Sequence, residues 1–203
     1  MSILMTKITA CLEVMLEMAR DIRPEHRDDR TWAQHVLTLV KGQEGFERLV
    51  IFAVDTDFAT VTHILVRVQD SISPDVSLSV AQVLDCLETC KALFKQGRIF
   101  EAAPNGTYTN ELLRNLCASR RAREFGWPDQ RASSQALAKP MSYAKKLYQT
   151  VEEFFNLNFP DHAWRQKFAA FHCGPDQKLA LDTRLRYIEE LAAKEGLDKV
   201  EEQ

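Results

Sequence analysis

Residues 73–110, SPDVSLSVAQVLDCLETCKALFKQGRIFEAAPNGTYTN, divide into a capped helix, a stop, a short polar-tipped segment and the opening of another helix. Ser73 is a good N-cap, Pro74 suits the first helical position, and Asp75 places negative charge in the first turn. Val76, Val80, Val83, Leu87, Cys90 and Phe94 recur at steps of four and three. That spacing lays them along one stripe of a helix with ~3.6 residues per turn. Gly97 supplies the left-handed cap that ends it. Pro104-Asn105-Gly106 is a turn whose Asn-Gly pair tolerates positive φ. Arg98–Ala102 and Thr107–Thr109 are therefore expected to pair as a small β-hairpin near 98–109. Thr109 or Asn110 caps the next helix.

A helix, a glycine stop and a small hairpin in this order resemble the centre of winged-helix domains, over residues 73–110 and at the level of topology. The resemblance implies a helix lying in the DNA major groove with the hairpin as a wing. Lys91, Lys95, Arg98, Arg114, Arg120, Arg121 and Arg123 are the nucleic-acid-binding candidates under it. The same helix also offers Gln82, Asp85, Glu88 and Thr89, and its acidic members repel phosphate. The arginines of Glu111–Glu124 have a structural reason to be there as well, since cations are favoured at a helix C-terminus.

Composition narrows the rest. A chain of 203 residues is long enough for one substantial core, or for a domain with an appendage. Hydrophobic residues at 45% and charged residues at 27% are ordinary globular values, and seven Gly with seven Pro favour long helices over a many-stranded fold. A net charge of −3 argues against a constitutive nucleic-acid binder. No run of apolar residues is long enough to span a bilayer. The N-terminal stretch is interrupted by Glu13 and Glu17 and lacks a basic lead, so a secretory signal is not expected. Five cysteines at irregular spacing suggest reduced thiols and a cytoplasmic setting.

Elsewhere the helical rhythm repeats. Leu4, Ile8, Cys11, Met15, Met18 and Ile22 form a stripe suited either to self-association or to the protein's own core. Residues 21–30 read as a charged loop carrying an exposed His26, and Thr31–Lys41 as a short helix with Trp32, Val36, Leu39 and Val40 inward. Gly42 and Gly45 break the segment. Phe46–Asp70 fits one long helix with Asp55 and Asp57 on or beside its solvated face. Leu49–Val54 alone also fits a buried strand. With a strand there, Asp55-Thr56-Asp57 resembles the nucleophile motif of haloacid-dehalogenase-type phosphotransferases, which bind Mg²⁺; Ala59 departs from that pattern. Residues 126–140 read as a linker that Trp127 pins to the core. Beyond it, Ser142–Asn158 and a helix from Pro160 carry the densest aromatic content of the chain, and a last helix from about Asp176 to Glu195 turns Leu181, Leu185, Ile188 and Ala192 inward.

The fold class expected is mainly α, about eight helices with the small hairpin. It is arranged as a helical core domain at 1–125 with a winged-helix-like centre at 73–110, a linker at 126–140, and a C-terminal helical subdomain at 141–203. Cys86 and Cys90 border an apolar stripe, where cysteine behaves as a small hydrophobe. No nucleotide, metal or hydrolase motif stands in the chain, and no cofactor is expected. The function expected is that of a non-enzymatic regulatory, adaptor or assembly protein. Its protein partners would meet Leu4, Ile8 and Met15, or Phe154, Phe155, Trp164 and Phe168; a homo-oligomer is one form of this. The alternative is a nucleic-acid-binding regulator, and an enzyme comes third.

Overall fold

The computed structural model describes residues 2–69, 76–118, 122–128, 135–158, 166–171 and 179–195. Among them the architecture is helical: α1 Ser2–Arg20, α2 Arg27–Val40, α3 Gly42–Gln69, α4 Val76–Cys90, α5 Tyr108–Ala118, α6 Ala122–Phe125, α7 Ala138–Asn158 and α8 Leu181–Glu195. Short 3₁₀ turns at Pro24–His26, Arg98–Phe100 and Gln166–Phe171 and a π-helical turn at Lys91–Lys95 complete it. No strand occurs among the described residues. No helix among them is long and apolar enough to cross a membrane.

The chain forms two compact units of discontinuous sequence, Met1–Thr60 with Lys91–Gln149, and Val61–Cys90 with Thr150–Gln203. In the first, Ile8, Leu12 and Leu16 of α1, Phe46, Leu49 and Val50 of α3, and Leu112, Leu113 and Leu116 of α5 make one core, closed by Phe125 and Trp127. Their spacings of three and four put them on one face of each helix, and on α1 the buried face is Ile8, Leu12 and Leu16, while Ile22 of the stripe read from sequence is 85% exposed. α2 departs from expectation. Its inward face is Ala33 and Leu37, whereas Trp32 and Leu39 are 54% and 47% exposed. Packing on α1 selects the face with the smallest residue, because alanine lets two helix backbones approach. The segment before α2 is an ordered corner. Asp21 accepts hydrogen bonds from the Arg23 backbone and side chain and from His26 Nδ1, and Arg30 donates to the Asp21 carbonyl at 3.1 Å. Arg23 and His26 together hold the Asp21 carboxyl far below the usual range.

The α2–α3 corner is tight. Gly42 has a φ of +67°, and the last α2 carbonyls are satisfied from afar: Trp127 Nε1 donates to Val40 O at 2.7 Å and Arg48 Nη1 to Leu39 O at 3.2 Å. Trp127, 6% exposed and stacked on Phe125 with centroids 4.3 Å apart, pins its segment to the core.

In the second unit the Gln166–Phe171 turn packs against both α4 and α8. Ala169 and Ala170 supply the small buried surface, Arg184 Nε donates to Ala170 O at 2.9 Å, and Lys167 pairs with Glu190. This bond commits the Arg184 side of α8 inward together with Leu191. Leu181 and Leu185, read as inward from sequence, are instead 66% and 50% exposed.

Candidate functional site

α3 runs unbroken from Gly42 to Gln69, so Leu49–Val54 is helix and no strand presents Asp55-Thr56-Asp57 in the phosphotransferase manner. Asp55 accepts from Tyr143 Oη at 2.7 Å. Asp57 is the larger surprise: expected at the solvated face, it is 4% exposed. Its carboxylate accepts the backbone N–H of Tyr108 at 2.7 Å, that of Thr109 at 2.8 Å and the Thr109 hydroxyl at 2.7 Å. The first turn of a helix has N–H groups with no partner of their own. Asp57 supplies those of α5 with an acceptor from more than fifty residues away. Burial pushes the Asp57 carboxyl up, and these hydrogen bonds pull the other way without cancelling it.

The expected hairpin at 98–109 is replaced by a loop ordered by side chains. Arg98–Phe100 is a 3₁₀ turn. Asn105 donates to Arg98 O at 2.7 Å while its oxygen accepts from Thr107 N at 3.1 Å and Thr107 Oγ1 at 2.7 Å. Asn110 donates to Glu101 O at 2.6 Å and Ala103 O at 3.1 Å. Backbone groups that a hairpin would have paired in a ladder are taken by these two amides, and Pro104 has no N–H to pair. Thr107 accepts from Asn110 N at 3.2 Å and is the cap proper of α5. Gly97 has the left-handed φ of 80° read from sequence, after a helix prolonged by the π turn. Phe94 and Ile99, both fully buried, anchor the loop; Phe94 meets Phe58 edge-on at 5.5 Å.

This polar centre saturates itself. Asp57 spends its lone pairs on α5, the Asn105 and Asn110 amides donate to carbonyls of the loop, and Glu47 accepts from Gln43 and Lys139, each at 2.8 Å. The arrangement orders backbone at the start of α5 and in the loop before it.

The basic candidates are distributed. Lys91 is half-buried on the π turn, Lys95 lies over the Tyr148 ring at 5.0 Å, and Arg98 Nε is 3.9 Å from Glu101. Arg114 is exposed on α5 and Arg123 on α6; Arg120 and Arg121 lie outside the described residues. Without a hairpin, the winged-helix resemblance has no wing.

The apolar candidates separate by helix. On α1, Ile8 is buried in the core and Met15 packs against it, and the side chain of Leu4 lies outside the described ones. On α7, Phe154 is 62% exposed while Phe155 is half-buried; Phe168 is half-buried, and Trp164 lies outside the described residues. Sequence reasoning missed Leu157, 80% exposed one turn after Phe154, and the outward Leu181 and Leu185. A signal was present: Ala144, Tyr148, Val151 and Phe155 already fill one stripe of α7, and Phe154 with Leu157 begins a second at a different angle. Comparison with protein families, with curated proteins and with solved structures finds no match to the chain.

Proposed function

We propose that the protein is a non-enzymatic adaptor or assembly factor that holds a protein partner on the apolar side chains of its second unit. The exposure of Phe154 and Leu157 on the last turns of α7 is the observation that supports this most directly. Leu181 and Leu185 on α8, with Phe171 at 51% exposure, add apolar surface in the same unit. Single exposed leucines are common on any protein, but large apolar side chains repeated at helical spacing mark interaction surfaces. A partner that buries two such residues gains roughly 1.5–3 kcal/mol from each. That is large enough to be read in one experiment.

Phe154→Asp combined with Leu157→Asp, both at exposed positions, leaves the fold intact and the thermal melt unshifted. In affinity capture from cell extract, the wild-type chain retains a reproducible set of proteins that the double variant loses at least tenfold. Equal retention by a folded double variant would remove this reading.

A further inference from the structure

Asn105-Gly106 is the one Asn-Gly pair in the sequence, and its two reacting groups are held in opposite states. A succinimide forms when the main-chain nitrogen after an asparagine attacks the side-chain Cγ, and glycine puts no Cβ in the way. The electrophile is held and polarised. Asn105 Oδ1 accepts from Thr107 Oγ1 at 2.7 Å and from Thr107 N at 3.1 Å, two donors that draw charge away from Cγ. The nucleophile is free. Gly106 N has no hydrogen-bond partner among the described residues, Gly106 is exposed, and nothing beyond its chain neighbours lies within 4 Å of the place a Cβ would take. Asn110 is the contrast: it is 2% exposed, its Nδ2 donates to Glu101 O and Ala103 O, and the nitrogen after it, Glu111 N, donates to Thr107 O at 3.0 Å.

We propose that Asn105-Gly106 is a self-modification site that deamidates in the folded protein and acts as a one-way timer on the order of the loop before α5. Hydroxide takes the proton of the exposed Gly106 N–H, and the nitrogen attacks Asn105 Cγ. Negative charge collects on Oδ1, where the Thr107 N–H and hydroxyl already point. The Cγ–Nδ2 bond then breaks, and Nδ2 takes a proton from water and leaves as ammonia, which returns the hydroxide. Water opens the five-membered ring at either carbonyl, leaving aspartate or isoaspartate. One water has entered, one ammonia has left, and nothing has been oxidised or reduced. The product lacks the Nδ2 donor that Arg98 O accepts from at 2.7 Å. In aspartate a carboxylate faces that carbonyl instead, and two acceptors repel. In isoaspartate the main chain is longer by one carbon immediately before Thr107, the cap of α5. Either product releases the Arg98–Phe100 turn from the residues that cap α5.

The test uses the full chain, held at neutral pH and body temperature and sampled over weeks by mass spectrometry. Trypsin releases residues 99–114, which carry both Asn105 and Asn110. This peptide should gain the mass of an OH exchanged for an NH₂, located by fragmentation at Asn105 with Asn110 unchanged. An isoaspartyl methyltransferase should label the isoaspartate fraction. The folded chain should convert at least as fast as a synthetic peptide of residues 99–114, which has the sequence without the fold. Thr107→Val should slow conversion about tenfold by removing one donor to Oδ1, and Thr107→Ser should restore it. In the aged chain the Thr107 amide should exchange its hydrogen faster than in the fresh one. A folded chain slower than the peptide, equal conversion at Asn110, a Thr107→Val rate like that of wild type, or unchanged exchange at Thr107 after conversion would each overturn the proposal. The comparison of wild-type chain with peptide decides even where Thr107→Val fails to fold.

Discussion

Replacing Asp57 by Ala lowers the unfolding free energy by about 3–5 kcal/mol, the largest loss expected from any single polar substitution in the chain. The residue is buried, so almost nothing is lost from the surface. What is lost is the acceptor for Tyr108 N, Thr109 N and Thr109 Oγ1, with Thr109 fully buried. A buried donor left without an acceptor costs about 1–3 kcal/mol, and water cannot reach Thr109 without opening the α3–α5 contact. Asp57→Asn is no rescue, since its amide turns an N–H₂ toward groups that themselves donate. Equilibrium denaturation measures the loss, and hydrogen exchange locates it: the amides of Tyr108 and Thr109 should lose most protection. A loss under 1 kcal/mol would mean that Asp57 does not carry the start of α5.

Gly45→Ala is the second large effect, about 3 kcal/mol or more. A Cβ at Gly45 would lie 2.1 Å from the Val40 carbonyl carbon and 2.3 Å from its oxygen. Both are backbone, so no rotamer change relieves the contact and the end of α2 must move off the start of α3. That movement pulls Val40 O from Trp127 and Leu39 O from Arg48. Gly42→Ala is the internal control. Its Cβ would meet nothing within 4 Å, and the substitution suffers only the left-handed φ, about 1–2 kcal/mol. The difference between the two melts isolates the close approach from the backbone conformation. Equal melts would contradict the corner described here.

The helices were legible in the sequence because each is written locally, as apolar residues three and four apart, with Gly97 as a stop. What was not legible is whatever depends on a distant partner. Asp57, among polar residues inside a helical run, looks like any solvated carboxylate, since the donors it serves are on α5. Trp32, Leu39, Leu181 and Leu185 lie on apolar stripes as plausible as the ones buried. The choice was made by Ala33 against α1 and by Arg184 reaching Ala170 O. The 98–109 segment carries a real turn signal, yet Asn105 and Asn110 each have an amide able to take the backbone's bonds, and turn residues do not show which will win. Of the proposed contact residues, Phe154 could be named from its aromatic surroundings. Leu157 needed the observation that α7 has already filled its inward stripe.

The most direct test of the proposed role is site-specific photo-crosslinking in living cells, with a benzophenone side chain at Leu157, at Leu185 and, as a control, at exposed Arg48. The account predicts the same discrete protein adduct from Leu157 and Leu185 and none from Arg48. No adduct from either leucine, or the same adducts from all three positions, would contradict it.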